Sequence, residues 1–483
     1  MKLITYIWNY GRLIYDIYSL YSLYERRGDI DSEEALGLLD EINTRINDSG
    51  TICIKFTQWL IPILEAMYIH SDVSKPYWLT KLETLYEKCP IHSHQYTVSL
   101  YEKTFHKPLS DDYELLDVIG SGSIAQVYQL IDKNSGEYLA MKVVHPEIRE
   151  QLLLFRFILK VILFIPTFHQ IIYNIIPIDL IRFLDQFEDQ QDMIKESNNL
   201  LRMNYNYTHN KYVVIPQLVQ CEKDILIMTY EGAEAMDDMD ISDYEKMKIV
   251  NLLHLFMKTN QLFYNFNHGD VHKGNWKVRK INGRYGLVIY DLGFCWKLHN
   301  KDRDINFKLT EAFNSSDEAD DHRVFDDNIE QFVNIFAFIL NNDSISSKEH
   351  IRAYIEDNYS KLGKCYECDP INIFRDVTTI SKELSITIEP LYAQCIITLI
   401  QTYKYFTIYN INNEKGSSNP KYKLMRGKYL DMITLCNTYE IFAEFKQYLT
   451  DFMMDQDIMV SELFDTLDES VIPSEVKGLL DFN

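Results

Sequence analysis

Three short runs rich in β-branched and aromatic residues, Tyr113–Ile119, Ile124–Ile131 and Glu137–Val144, are separated by the stretch GSGS and by the turn Lys133-Asn134-Ser135-Gly136. Runs of this length bounded by Gly, Ser and Asn predict strands with tight connections, hence a small antiparallel sheet. Before them, from 31 to about 110, apolar residues recur at helical spacing, as in Leu60, Ile63, Leu64, Met67 and Tyr68. After them the pattern is helical, interrupted by strands expected at Tyr212–Ile215 and Asp224–Tyr230 and by a hairpin over Lys277–Tyr290 that turns at Asn282-Gly283. From about residue 300 the chain again reads as mostly helical. A sheet confined to part of a helical chain places it in the α+β class.

The loop between the first two strands, in the segment GSGSIAQVY (Gly120 to Tyr128), contains the small residues that let backbone N–H groups approach phosphates. The third strand ends Leu139-Ala140-Met141-Lys142, and a lysine there can reach the α- and β-phosphates of a nucleotide. Its plainer alternative is an edge-strand lysine in solvent. A second cluster, Asn267-His268-Gly269-Asp270-Val271-His272-Lys273-Gly274-Asn275, follows an aspartate with an asparagine five positions later, the H-x-D-x-x-x-x-N spacing of a phosphoryl-transfer loop. Sixteen residues further, the strand Leu287–Tyr290 runs into Asp291-Leu292-Gly293, a conservative version of the D-F-G metal loop. In this reading Asp270 orients the acceptor or takes its proton, and Asn275 and Asp291 hold magnesium. His268 and His272 are read as packing residues. The segment Ile225–Gly232 reads as a strand and linker whose backbone around Tyr230 meets adenine, although an ordinary buried strand explains its apolar part equally well.

The formal charge of −23 excludes nonspecific nucleic-acid binding and argues against broad attraction to anionic lipid. The eight cysteines lack the density of a disulfide framework and no signal-peptide pattern accompanies them, so an intracellular reducing compartment is expected. Cys365 and Cys368 have zinc-knuckle spacing, but no second pair completes a four-ligand site. No segment reaches the roughly 18 to 20 uninterrupted apolar residues of a membrane span. The nearest, Leu152–Ile181, is broken by Arg156, Lys160, Pro166, His169, Asn174 and Pro177, and predicts a pair of buried or amphipathic helices. Met1–Tyr24 suits an amphipathic helix, packed on its own protein or lying peripherally on a membrane.

Taken together, these motifs resemble the UbiB/AarF-domain (ADCK-type) family of atypical kinases. Gly120–Tyr128 resembles the family's A-A-A-S-I-A-Q-V-H, Met141–Pro146 its V-K-V-Q-x-P, and His268–Asn275 its H-A-D-x-H-x-G-N. Lys55-Phe56-Thr57-Gln58 resembles its K-x-G-Q, and Gln190-Gln191-Asp192 with Glu196-Ser197-Asn198-Asn199 its E-x-D and E-A-x-N. The resemblance covers roughly residues 50 to 300. It implies a bilobal protein-kinase-like fold: a helical segment over 1–50, a helical extension over 51–110, an N-lobe over 111–232 with an insert at about 152–181, and an extended helical C-lobe over 233–483. It further implies ATP and Mg2+ as ligands, with Gly120, Ser121, Gly122, Ser123, Gln126, Lys142, Glu196 and Tyr230 about the nucleotide. Lys142 and Asp270 are then catalytic, Asn275 and Asp291 bind metal, Glu196 partners Lys142, and Lys55, Gln58 and Asp192 belong to a lid. The implied acceptor is a small or lipid-related (isoprenoid) molecule. A nucleotide-gated scaffold and a true protein kinase are the rival readings. Three departures stand out: Gly120 and Gly122 replace loop alanines, Thr57 replaces the glycine of K-x-G-Q, and Gln190 replaces the glutamate of E-x-D. Glycine should restore freedom to the loop, and Thr57 with Gln190 should weaken the lid.

Overall fold

A computed structural model describes residues 2–27, 32–68, 77–83, 91–298 and 329–408, apart from 209, 211, 282, 331–332, 335, 342–343 and 360–369. The zinc-knuckle pair Cys365 and Cys368 lies outside the described residues. The chain divides into two compact units, Met1–Asn198 with Gln217–Tyr230, and Asn199–Pro216 with Glu231–Asn483.

The first unit is built on a five-stranded antiparallel sheet. Its strands are β1 (Tyr113–Ser121), β2 (Ala125–Asp132), β3 (Tyr138–Val144), and two later ones, β5 (Leu218–Glu222) and β6 (Ile225–Thr229). Their order is β1-β2-β3-β6-β5, which puts β3 at the centre. Alternation along β3 decides what each residue meets, because neighbours on a strand point to opposite faces. Leu139, Met141 and Val143 join Tyr128, Leu130, Ile225 and Ile227 in a core closed by Tyr101 of helix α5 (His94–Phe105) and Leu109 of α6 (Leu109–Asp112). Lys142 consequently points to the other face.

The helices preceding the sheet are α1 (Lys2–Arg27), α2 (Glu33–Asp48), α3 (Thr51–Tyr68) and α4 (Tyr77–Glu83). Between β3 and β5 come α7 (Ile148–Phe164), α8 (Pro166–Ile175), α9 (Leu180–Gln190) and α10 (Met193–Tyr207). Aromatic contacts join the two groups: Trp59 of α3 stacks on Phe183 of α9 with ring centroids 3.4 Å apart, and Phe155 of α7 meets both Tyr10 and Phe56. The expected insert helices are amphipathic. α7 buries Leu152, Phe155 and Leu159 while exposing Leu153, Phe157 and Phe164, and α8 buries no residue. Among the described residues no single helix is long and apolar enough to cross a membrane, and α7 and α8 meet at a bend of 104°.

In the second unit, β4 (Val213–Val214) pairs in parallel with β9 (Arg284–Ile289), which forms a hairpin with β8 (Trp276–Ile281). Gly283 turns this hairpin at φ 83°, as its Asn-Gly sequence predicts, while Asn282 lies outside the described residues. A short ladder joins β7 (Asn267–His268) to β10 (Cys295–Trp296). Helix α11 (Asp243–Thr259) starts at Ser242, whose hydroxyl accepts the Glu245 N–H at 3.2 Å, and buries Val250, Leu253 and Phe256. Among the described residues that follow are the helices Ile345–Tyr359, Pro370–Leu384 and Pro390–Ile408.

Candidate functional site

In the first unit, Lys142 donates to both carboxylate oxygens of Glu196, at 2.8 and 2.9 Å. The two side chains are only 8% and 3% exposed. Strand register supplies the lysine: Lys142 lies between Val127 of β2 and Leu226 of β6, so main chain flanks it on both sides. Glu196 stands in the first turn of α10, where a carboxylate is favoured by the helix dipole. Asp192 sets that turn by accepting the Ile194 N–H at 3.0 Å, while its carbonyl accepts from Glu196 N at 3.2 Å. Asp192, expected in a lid, therefore also caps the helix that presents Glu196.

The small-residue loop follows from the β1–β2 hairpin. Gly120 pairs with Val127 and Ser121 with Gln126, and the Gly122 N–H closes the loop on the Ala125 carbonyl at 2.9 Å. Ser123 is buried and Gly122 exposed. The structure does not bring Gln126 to the Lys142 side. Val127 is the residue paired with Lys142, so Gln126 faces the opposite way, fully buried, with its amide engaged by the His92 N–H and by the Tyr128 hydroxyl. Tyr230 is partly exposed, its ring 6.4 Å from that of Tyr138. On α3, Lys55 and Gln58 are half-buried, and the buried Thr57 between them gives its hydroxyl to the Cys53 carbonyl at 2.9 Å.

The second unit carries the catalytic-loop motif, and there the main chain does the positioning. His268 is buried; its Nε2 donates to the Tyr290 carbonyl at 3.0 Å and its Nδ1 accepts the Asp270 N–H at 3.1 Å. Those two bonds require the neutral Nε2–H tautomer, and burial pulls the His268 pKa down. The packing role expected of this histidine matches its position. Asn275 donates from Nδ2 to the Asp270 carbonyl at 2.8 Å, which leaves Oδ1 as its ligating atom. The Tyr290 N–H in turn donates to the Asn275 carbonyl at 2.8 Å, setting Asn275 beside the residue that precedes Asp291. Asp291 has φ 52°, a left-handed conformation that Asp and Asn tolerate better than most residues, and accepts the Gly293 N–H at 3.3 Å. His272 approaches Asp270 at 3.8 Å. An asparagine amide oxygen and a carboxylate are hard donors of the kind Mg2+ takes, so this pair fits that ion.

Four supporting residues have no role in the sequence reading. Asn199 donates to the Leu292 carbonyl at 2.8 Å, fixing the loop after Asp291. It is the last residue of the E-A-x-N-like stretch, so a signal for it existed. Gln394 donates to the Gly269 carbonyl at 2.7 Å and Tyr405 to the Val271 carbonyl at 2.8 Å, both from the helix Pro390–Ile408 and both without a motif. Gly269 itself is required by packing, since a Cβ there would sit 2.9 Å from the Phe294 ring.

Over about half of its length the chain is similar to known proteins. The family described as "ABC1 atypical kinase-like domain" matches residues 84–324. The probable serine/threonine-protein kinase abkC of Dictyostelium discoideum is 28% identical over 242 residues, which cover 48% of this chain and 34% of that protein. The probable protein kinase UbiB of Aliivibrio salmonicida is 24% identical over 285 residues, 56% of this chain and 50% of UbiB. The chain thus spans between a third and a half of the length of these curated relatives. Among solved structures, the erythromycin complex of Rv3197 from Mycobacterium tuberculosis aligns with a TM-score of 0.41 at 15% identity, covering 69% of this chain and 89% of that one.

Proposed function

The chain belongs to the ABC1 family of atypical kinase-like proteins, and we propose that it binds Mg2+ and ATP and passes the terminal phosphoryl group to a small, lipid-related hydroxyl or to water. The observation that carries this reading is the buried pair in which Glu196 holds Lys142 with both carboxylate oxygens. A charge is buried at such cost only when firmly paired, and this pairing of a strand lysine with a helix glutamate is the one kinase-like sites use to present lysine to the α- and β-phosphates. Asn275 and Asp291 would hold Mg2+, whose chemistry there is to neutralise charge on the triphosphate oxygens. Asp270 orients the acceptor hydroxyl and takes its proton as the new O–P bond forms and the bond to the ADP oxygen breaks. The lipid-related acceptor rests on family analogy.

Mg-ATP should raise the melting temperature of the full chain, and radiolabelled ATP should turn over in the presence of lipid vesicles more than with protein acceptors. Asp270→Asn is expected to keep Mg-ATP affinity within about tenfold, roughly 1.4 kcal/mol, and to remove turnover. Equal turnover in variant and parent would remove Asp270 from the chemistry, and a parent that binds Mg-ATP without turning it over would be a nucleotide-gated scaffold instead.

A further inference from the structure

Beneath the small-residue loop, on the sheet face opposite Lys142, lies a line of buried polar groups that the motifs do not explain. His145 Nε2 is 2.9 Å from the Gly122 carbonyl, and its Nδ1 is 2.8 Å from Nδ1 of His92. His92 Nε2 is 2.9 Å from Thr97 Oγ1, which lies 2.8 Å from the Tyr128 hydroxyl, and Gln126 Nε2 donates to that hydroxyl at 2.7 Å. His92, Thr97, Gln126, Tyr128 and His145 are all buried.

The ends of the line determine where each proton lies. A carbonyl only accepts, so His145 must carry its proton on Nε2, and a neutral ring then has an acceptor at Nδ1. His92 must therefore donate from Nδ1 and accept at Nε2. Thr97 gives its proton to that nitrogen, and the Tyr128 hydroxyl gives its own to Thr97 while accepting from Gln126. Gln126 is oriented in turn by the His92 backbone N–H, which donates to its Oε1 at 2.9 Å. In this single arrangement every hydrogen bond has one donor and one acceptor without any charge. The opposite tautomers would set an unprotonated nitrogen against the Gly122 carbonyl. Burial lowers the pKa of both imidazoles, in keeping with neutral rings.

We propose that His145 is a positioning residue for the phosphate loop, held in its Nε2–H form by the one-way hydrogen-bond relay from Gln126 through Tyr128, Thr97 and His92, so that the start of α5 sets the geometry of Gly122. The importance of that geometry for catalysis rests on the reading of Gly120–Ser123 as the nucleotide loop, whereas the relay itself is a property of the ligand-free chain. It also gives Gln126 a function compatible with its burial: the glutamine orients the relay instead of touching nucleotide.

Two amide substitutions separate the two ends of His145. In His145→Gln the terminal amide can place a donor near the position of Nε2 and keep the bond to Gly122. In His145→Asn the shorter side chain places an acceptor near Nδ1, keeping His92 and losing Gly122. Hydrogen exchange of the Gly122 and Ser123 amides in the ligand-free full chain is the first readout. We expect the Asn variant to exchange about three- to tenfold faster there, the worth of one hydrogen bond, and the Gln variant to stay near the parent. Mg-ATP affinity from thermal-shift titration should follow the same order. Parental exchange in the Asn variant, or equally fast exchange in both variants, overturns the proposal. If the parent itself shows no Mg-ATP shift, the nucleotide reading fails while exchange still decides the relay. Should His145→Asn not fold, Thr97→Val removes a hydroxyl three hydrogen bonds from the loop without touching it; faster exchange at Gly122 supports the relay and unchanged exchange overturns it.

Discussion

Lys142 and Glu196 meet side chain to side chain, whereas Asp270, Asn275 and Asp291 are placed by bonds through the main chain: His268 to Tyr290, Asn275 to the Asp270 carbonyl, Asn199 to the Leu292 carbonyl. In the first region the charged atoms are themselves the structural contact. In the second, a framework of carbonyl and N–H groups holds the loops. Charge and stability should therefore be inseparable around Lys142 and separable around Asp291.

The strongest way to break this contrast is Glu196→Ala. It leaves Lys142 buried without the carboxylate that offsets its desolvation, and we expect a loss of about 3–5 kcal/mol in denaturant unfolding. A cost under about 1 kcal/mol would mean that Lys142 reaches solvent and that the pair is not structural. Acid supplies the next test. Burial, with His145 nearby, lowers the His92 pKa from its ordinary value to about 4, so the unfolded chain takes up a proton near pH 6.5 that the folded one refuses. This contribution to stability is complete above pH 6.5 and is lost as pH falls toward 4; His145 and His268, also lowered by burial, act in the same direction. The rings around His92 are those of Tyr96, Tyr128 and His145. Melting temperature should fall across this window, and His92→Gln should flatten the fall; an unchanged slope in the variant would remove His92 from the account.

Smaller effects on stability are expected in the second unit. Asp291→Asn keeps a residue suited to φ 52° and should change stability by no more than about 0.5 kcal/mol, while abolishing most of the Mg-ATP thermal shift. Asp291→Ala should lose the same shift and roughly 1 kcal/mol in addition, because alanine is strained there. A parental Mg-ATP shift in the Asn variant would contradict the metal assignment. The smallest change should come from replacing Gly120 and Gly122 with alanine. Neither glycine has a positive φ; an added Cβ meets nothing within 4 Å at Gly120 and only the Ala125 carbonyl, at 3.6 Å, at Gly122. The double variant should melt at or slightly above the parental temperature, by up to about 1 kcal/mol of unfolded-state entropy. Its turnover should drop only if the loop must move during the cycle. Lower stability would show that the hairpin needs its glycines after all.

The strands from Tyr113 to Val144 and the hairpin at Gly283 are legible in the sequence to within a residue or two of their limits, because alternation and turn chemistry are local. β5 is not: Leu218–Glu222 has no apolar alternation strong enough to announce an edge strand. The sequence of the insert allows either a buried or an amphipathic pair of helices, and only packing against α3 and α9 decides that α7 buries one stripe while α8 buries none.

The amino-acid order alone determined which residues carry charge and in what spacing: Lys142 at the end of an apolar strand, Asp270 five residues before Asn275, Asp291 after the next hairpin. It could do so because a strand, a loop and a turn are short-range objects. Which groups meet was decided by the tertiary structure. The register of β2 on β3 turned Gln126 away from Lys142 and toward His92, and the helix Pro390–Ile408 supplied Gln394 and Tyr405 to carbonyls 125 and 134 positions away in the chain. Hydrogen bonds across such separations depend on how sheets and helices pack, and residue spacing does not encode that packing.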